Sequence, residues 1–240
     1  MTLAVDVLLA PPFDAARTRG THAVVIDVLR ATTTIATALA HGAAGVIPAM
    51  DAGEAADIGR RLGRERVLFG GERESKMIEG FDLDNSPASY TREAVEGKTI
   101  AFTTTNGTRA MRALGAALSV RTAALVNRAA VADALAGESG EIVLVCAGDN
   151  GKFALEDALG AGALVHALAA RVPAIELRDG ARGCAILYRA CQDRLLDGVA
   201  SADHARDLAE AGFAGDLGRC AALDVLRVVP TLRDGILVPA

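Results

Sequence analysis

Short uninterrupted apolar runs recur along the chain, and between them Ala, Leu and Arg return at helical spacing. The runs are rich in Val and Ile and are bounded by polar or glycine-bearing turns, which predicts strands over 3–9, 23–28, 45–49, 66–69, 99–102, 119–122, 142–146 and 174–177. The intervening stretches predict helices over 34–41, 52–62, 107–114, 129–135, 155–171, 183–195 and 204–211. Strands alternating with helices imply an α/β fold in layers, with helices on both faces of a sheet. One segment, 70–87, breaks the rhythm by being polar and charged without either periodicity. Long irregular connections inside a compact chain usually carry function.

Four of the predicted strands end in turns that bear chemistry. The first turn is Asp27-Val-Leu-Arg-Ala-Thr-Thr-Thr34. The second is Gly70-Gly-Glu-Arg73 with the loop Gly80-Phe-Asp-Leu-Asp-Asn-Ser-Pro87. The third is Thr103-Thr-Thr-Asn-Gly-Thr-Arg109, and the fourth runs from Cys146-Ala-Gly-Asp-Asn-Gly-Lys to Glu156-Asp157. Ligands of open α/β sheets bind at the carboxyl ends of strands, so these turns predict one shared cleft for an anionic or phosphorylated substrate. Each also has a plainer reading. Asp27 and Thr32 to Thr34 can simply cap a helix, Asn106-Gly107 can be an ordinary turn, and Glu72-Arg73 can be a surface ion pair.

Composition narrows the partners. Charged residues make up 23% and hydrophobic ones 51%, a balance that excludes disorder. A net charge of −5 and 3% aromatics argue against a nucleic-acid partner, which needs a basic face and stacking rings. No apolar run reaches the ~18 to 20 residues of a membrane helix, and the N-terminus lacks the layout of a signal peptide. The cysteines, Cys146, Cys184, Cys191 and Cys220, form no CxxC pair, so free thiols in the cytoplasm are expected. The apolar composition leaves room for a homodimer.

The acids of the turns suit Mg²⁺, which takes hard oxygens, keeps waters and needs only one or two carboxylates beside the substrate. Asp27, Glu72, Asp149, Glu156 and Asp157 are all candidates, not all of which can bind one metal, and the expected ligands are Asp27 with Glu72 or Asp157. The histidines, His22, His41, His166 and His204, are scattered outside the turns and read as structural or surface residues. Known phosphate motifs fail. No GxxxxGK[ST] occurs, and Gly160-Ala-Gly162 lies within a predicted helix, where close packing is its role. Leu29 stands where aspartyl-nucleophile phosphatases place a second aspartate, and Lys152 where cysteine phosphatases require arginine.

Together these segments resemble the 2-phosphosulfolactate phosphatase (ComB-like) family. The likeness rests on the first and third turns, Gly71-Glu-Arg, Gly80-Phe-Asp, Asn85-Ser-Pro, Cys146-Ala-Gly and Leu155-Glu-Asp157. It continues through Gly212-Phe, Asp216, Cys220, Asp224 and Val229-Pro, and thus spans nearly the whole chain. Glu74-Ser75 and Asp84 depart from the family pattern, and they add acids beside the expected substrate. The resemblance implies a three-layer α/β/α fold with a mixed sheet, as one domain over 1–240 or two α/β subdomains sharing a cleft. It implies a Mg²⁺-dependent phosphatase that converts (R)-2-phospho-3-sulfolactate to 3-sulfolactate and phosphate in coenzyme M biosynthesis. The expected catalytic residues are Asp27, Arg30, Glu72, Arg73 and Cys146. The expected substrate residues are Thr33, Asn85, Ser86, Thr104, Thr105, Asn106, Gly107, Arg109 and Gly148. The rivals are a same-fold phosphatase for another small phosphorylated hydroxy acid, and an anion-binding protein without turnover.

Overall fold

The computed structural model describes residues 3–240. Among them lie β1 (Ala4–Leu8), β2 (His22–Ile26), β3 (Gly45–Pro48), β4 (Val67–Arg73), β5 (Lys76–Met77) and β6 (Thr99–Thr103). These are followed by β7 (Ser119–Ala123), β8 (Glu141–Cys146), β9 (Glu176–Leu177), β10 (Pro230–Arg233) and β11 (Ile236–Pro239). They join in the order β5-β4-β6-β3-β11-β10-β7-β2-β8-β1-β9. Helices cover both faces, giving the expected three-layer α/β/α arrangement. Alternate residues explain why the central runs are apolar throughout. Val24, Ile26, Leu144 and Cys146 enter the core under helix Leu155–Arg171, whereas Ala23, Val25, Val143 and Val145 enter the core under helix Ala31–Ala40.

The sheet is mixed at its β4–β5 edge, where the two strands pair antiparallel, and at its centre. β4, β6 and β3 run parallel as one block, and β7, β2, β8, β1 and β9 as another. The C-terminal hairpin β10–β11 lies between them, antiparallel to β7 on one side and to β3 on the other. The sequence pattern does not reveal this hairpin, whose runs are short and flanked by Pro230 and Pro239. Its signal is Asp234-Gly235, both at positive φ, the dipeptide of a tight hairpin turn.

Three successive antiparallel pairings separate the two blocks, which therefore run opposite to one another, so in a flat sheet their carboxyl ends would lie on opposite edges. β6 and β2 stand five places apart in the strand order, about 24 Å in a flat sheet at ~4.8 Å per strand. Yet a Cβ on Gly107, just past β6, would lie 2.7 Å from Asp27 Oδ2, just past β2. The four residues from Thr103 to Gly107 reach only about 14 Å when fully extended, so curvature must close the rest. The carboxyl ends of both parallel blocks thereby meet.

Two local differences from the sequence pattern matter. Helix Ala31–Ala40 starts three residues before the predicted 34, which puts all three threonines inside it. Segment 70–87 is partly regular: β4 runs on to Arg73 and turns through Glu74 and Ser75, at φ 53° and 64°, into β5. The Gly160-Ala-Gly162 expectation of close packing is met. A Cβ on Gly162 would sit 2.0 Å from Cys184 O, in the neighbouring helix Asp179–Cys191. Gly162→Ala is therefore expected to lower stability by about 1–3 kcal/mol or more, as overpacking against backbone does. Gly218→Ala meets nothing within 4 Å and should match wild type or gain about 0.5–1 kcal/mol from helix propensity. Urea unfolding of both variants checks this, and a Gly162→Ala protein as stable as wild type would contradict it.

Candidate active site

The strand ends converge on a cleft of about 430 Å³. Asp27 enters from the end of β2, Glu72 and Arg73 from β4, and Thr104, Thr105, Asn106 and Arg109 from the turn and helix after β6. Asp149 and Asn150 follow β8, and Asn85 comes from the loop before the turn Pro87–Ser89. All four chemistry-bearing turns thus contribute to one site.

Asp27 answers to both of its readings. Its Oδ1 accepts the N–H of Ala31 at 3.1 Å, which is the capping role, while Oδ2 faces Gly107. Glycine at 107 is what allows this approach, since a Cβ there would also strike Ala31 Cβ at 2.8 Å. Burial pushes the Asp27 carboxyl up to about 6; the Ala31 amide and His204 oppose the shift, while Glu72 and Glu156 add to it. Glu72 is buried and accepts the amides of Thr105 and Ser75, one on each oxygen, at 2.8 Å. It therefore ties the β4 turn to the β6 turn.

The arginines divide into two kinds. Arg30 is 2% exposed, donates to Asp216 Oδ2 at 2.8 Å and lies 4.1 Å over the Phe213 ring. Ser86 Oγ donates to the other oxygen of Asp216 at 2.7 Å. Ser86 thus anchors Arg30's partner from behind the cleft and does not line it. Arg73 and Arg109 line the cleft and have no ion-pair or hydrogen-bond partner among the described residues. They are half-buried and exposed respectively, and open to an anion.

Several expected residues fall elsewhere. Cys146 is fully buried in the core and does not line the cleft, and burial and Asp157 push its thiol up, both of which oppose the nucleophile role expected of it. Thr33 lies inside the helix and donates to Val28 O, which turns it away from the cleft. Gly148 also lies off the cleft; its N–H donates to Asp157 Oδ2 at 3.0 Å, and its lack of a Cβ, which would lie 2.3 Å from Lys152 O, lets that oxygen approach. Asp157 does not line the cleft either. Its oxygens accept the Val28 and Gly148 amides, pinning the end of β2 to that of β8. Burial and Asp27 push its carboxyl well above the usual range. Asp84 accepts Ser86 N and Ser89 Oγ, so this added acid shapes the loop.

The structure also brings in residues that the strand-end argument misses. His204, Asp207 and Leu208 line the cleft from helix Asp203–Leu208. His204 Nδ1 lies 3.4 Å from Glu156 Oε1, and Glu156 is only 2% exposed. Burial would lower the imidazole's pKa, but contact with Glu156 and the fields of Asp149 and Asp27 outweigh this and raise it. His204 is thus a cleft residue and not the structural or surface one expected. No strand leads to it, and the family-like ending begins only at Gly212, so the sequence carries no signal for it.

The donor set fits a hard cation. Asp27 and Glu72 share the cleft with Asn85, whose Oδ1 is buried without a hydrogen-bond partner. A buried oxygen without a partner, on a cleft that also holds carboxylates, is a hard donor of the kind that Mg²⁺ takes. No three His, Cys, Asp or Glu side chains among the described residues converge to hold a metal unaided. Waters and substrate oxygens would complete the shell. Among the described residues no helix is long and apolar enough to cross a membrane.

The chain matches the family model described as 2-phosphosulpholactate phosphatase over residues 12–235. It is 42% identical over 216 residues to a probable 2-phosphosulfolactate phosphatase of Caldanaerobacter subterraneus, covering 90% of this chain and 89% of that one. A protein of the same description from Symbiobacterium thermophilum is 42% identical over 91% of this chain and 94% of its own. One from Thermotoga petrophila is 41% identical over 98% and 97%.

The Arg30–Asp216 pair can be tested apart from function. Asp216→Ala strands a buried guanidinium and is expected to cost about 3–5 kcal/mol. Arg73→Ala, which breaks no such pair, should stay within about 0.5 kcal/mol. Chemical denaturation measures both, and an Asp216→Ala protein of wild-type stability would contradict the assignment.

Proposed function

The chain belongs to the 2-phosphosulpholactate phosphatase family and is a phosphatase, and from that premise we propose that it hydrolyses 2-phosphosulfolactate with Mg²⁺ bound. The observation that carries this reading is the pair Arg73 and Arg109, free of carboxylate partners among the described residues and set on the same cleft as Asp27 and Glu72. Planar guanidinium forks suit phosphate, sulfonate and carboxylate better than a lysine point charge does.

Charge balance supports the cation. The cleft is lined by five carboxylates (Asp27, Glu72, Glu74, Asp149, Asp207) against three guanidiniums and the His204 imidazole, whose cationic form its neighbours favour. A phosphate monoester alone brings about two more negative charges. Asp27, Glu72 and Asn85 Oδ1 would hold Mg²⁺, which when bound supplies Lewis-acid charge at a phosphoryl oxygen. The chain's own residues do the rest. Arg73 and Arg109 bind and orient the anionic groups, and the buried, unpartnered Thr105 hydroxyl offers a hydrogen bond. Arg30, held by Asp216, keeps its charge at a fixed place on the wall.

With 2-phosphosulfolactate as substrate the reaction would stand in coenzyme M biosynthesis. Another phosphorylated hydroxy acid would place it elsewhere, and a panel of such esters, assayed for released phosphate with and without Mg²⁺, decides. On the best substrate, Asp27→Asn should lose at least ~100-fold in turnover, the scale on which fixed transition-state charges act. Arg109→Ala should mainly raise KM. Because the Asp27 carboxyl sits at about 6, protons compete with Mg²⁺ as pH falls through that value. The Mg²⁺ concentration for half activity should therefore rise below pH ~6. Wild-type activity in Asp27→Asn would overturn the assignment.

A further inference from the structure

The feature the metal and the arginines leave unused is the contact between His204 and Glu156. Glu156 is a carboxylate with 2% exposure whose Oε2 has no hydrogen-bond partner and whose Oε1 lies 3.4 Å from His204 Nδ1. A buried carboxylate facing an imidazole fixes the ring and favours its cationic form. The ring itself is 17% exposed and lines the cleft. Nε2, its other nitrogen, has no partner among the described residues. The remaining cleft groups able to give a proton are carboxyls, and Asp27 and Glu72 among them are needed ionised if they hold a cation. We propose that His204, held by Glu156, is the catalytic acid that protonates the ester oxygen leaving phosphorus.

The step balances without a co-reactant. The bond between phosphorus and the substrate's hydroxyl oxygen breaks, and its electron pair goes to that oxygen. The proton on His204 Nε2 moves to the same oxygen, giving the free hydroxy acid. Water supplies the oxygen of the new bond to phosphorus, and the proton that water loses returns to the imidazole through solvent. The products are a hydroxy acid and inorganic phosphate. A hydroxy-acid alkoxide is a poor leaving group, so this proton matters, and such general acids contribute about 10²–10⁴-fold.

The charged groups around His204 act together on its proton. Glu156 faces it from helix Leu155–Arg171, Asp149 from the loop after β8 and Asp27 from the end of β2. On its own helix Asp207 lines the cleft, while Asp203 is engaged by Arg206. Every carboxylate named favours the imidazolium. Activity on an alkyl ester should therefore fall as pH rises through the pKa of His204, and neutralising Glu156 should move that fall to lower pH.

This inference rests on the phosphatase reading, and the test separates the two. With Mg²⁺ present, the full chain is assayed across pH on 2-phosphosulfolactate and on 4-nitrophenyl phosphate, whose leaving group needs no proton. Wild type should show the alkaline fall on the first ester only. His204→Gln should lose about 100-fold or more in kcat on the first ester and less than ~10-fold on the second. Glu156→Gln should shift the alkaline limb downward. An alkaline limb on both esters in wild type, or equal losses on both in His204→Gln, overturns the proton-donor role while leaving the phosphatase standing. The wild-type comparison decides even if a variant does not fold. Failure of wild type to release phosphate from either ester strikes the underlying reading instead.

Discussion

Three carboxylates, Asp27, Glu156 and Asp157, are buried together at the carboxyl end of β2, and the site follows from how each is accommodated. Burying an ion costs several kcal/mol unless hydrogen bonds or opposite charge offset it. Asp157 takes amides on both oxygens and becomes a structural tie between β2 and β8. Glu156 faces His204, which brings the C-terminal helices onto the cleft. Asp27 takes an amide on only one oxygen, and burial leaves its carboxyl near 6. It is the carboxylate of the three that lines the cleft, which makes it the one with chemistry left to do.

Cationic groups are distributed by the same logic. Arg30 is locked by Asp216 and capped by Phe213, both from the C-terminal region, so the last helices fix a charge on the wall of the cleft. Arg73 and Arg109 carry no such tie among the described residues and line the cleft. The hairpin β10–β11 belongs to this arrangement as well. It stands between the two parallel blocks, whose turns lie far apart in strand order and yet face one another. Glu72 then bridges the β4 and β6 turns, and Gly107 reaches Asp27.

Much of this was legible in the sequence because strands buried on both faces read as plain apolar runs. β2, β6 and β8 lie where those runs stand, and Asp27, Glu72, Arg73, Thr104, Thr105, Asn106 and Arg109 line one cleft as their turns suggested. The pattern reports what lies next to a strand end and is silent on what tertiary packing imports. His204 and Asp216 sit on C-terminal helices with no strand to announce them, so their roles appear only in the fold. The converse error has the same source. Cys146, Thr33 and Gly148 are next to strand ends, yet the side-chain alternation and an earlier helix start turn them inward. Asp84 seemed an acid for substrate and instead closes its own loop.

The central claim is that a cleft with more carboxylates than guanidiniums accepts a phosphate because a cation joins it. Calorimetric titration of inorganic phosphate into the full chain, first without divalent cation and then at saturating Mg²⁺, tests this most directly. Linked sites typically couple by about 5–150-fold, and phosphate affinity is expected to rise at least ~10-fold with Mg²⁺. Equal affinity in the two titrations would contradict the claim.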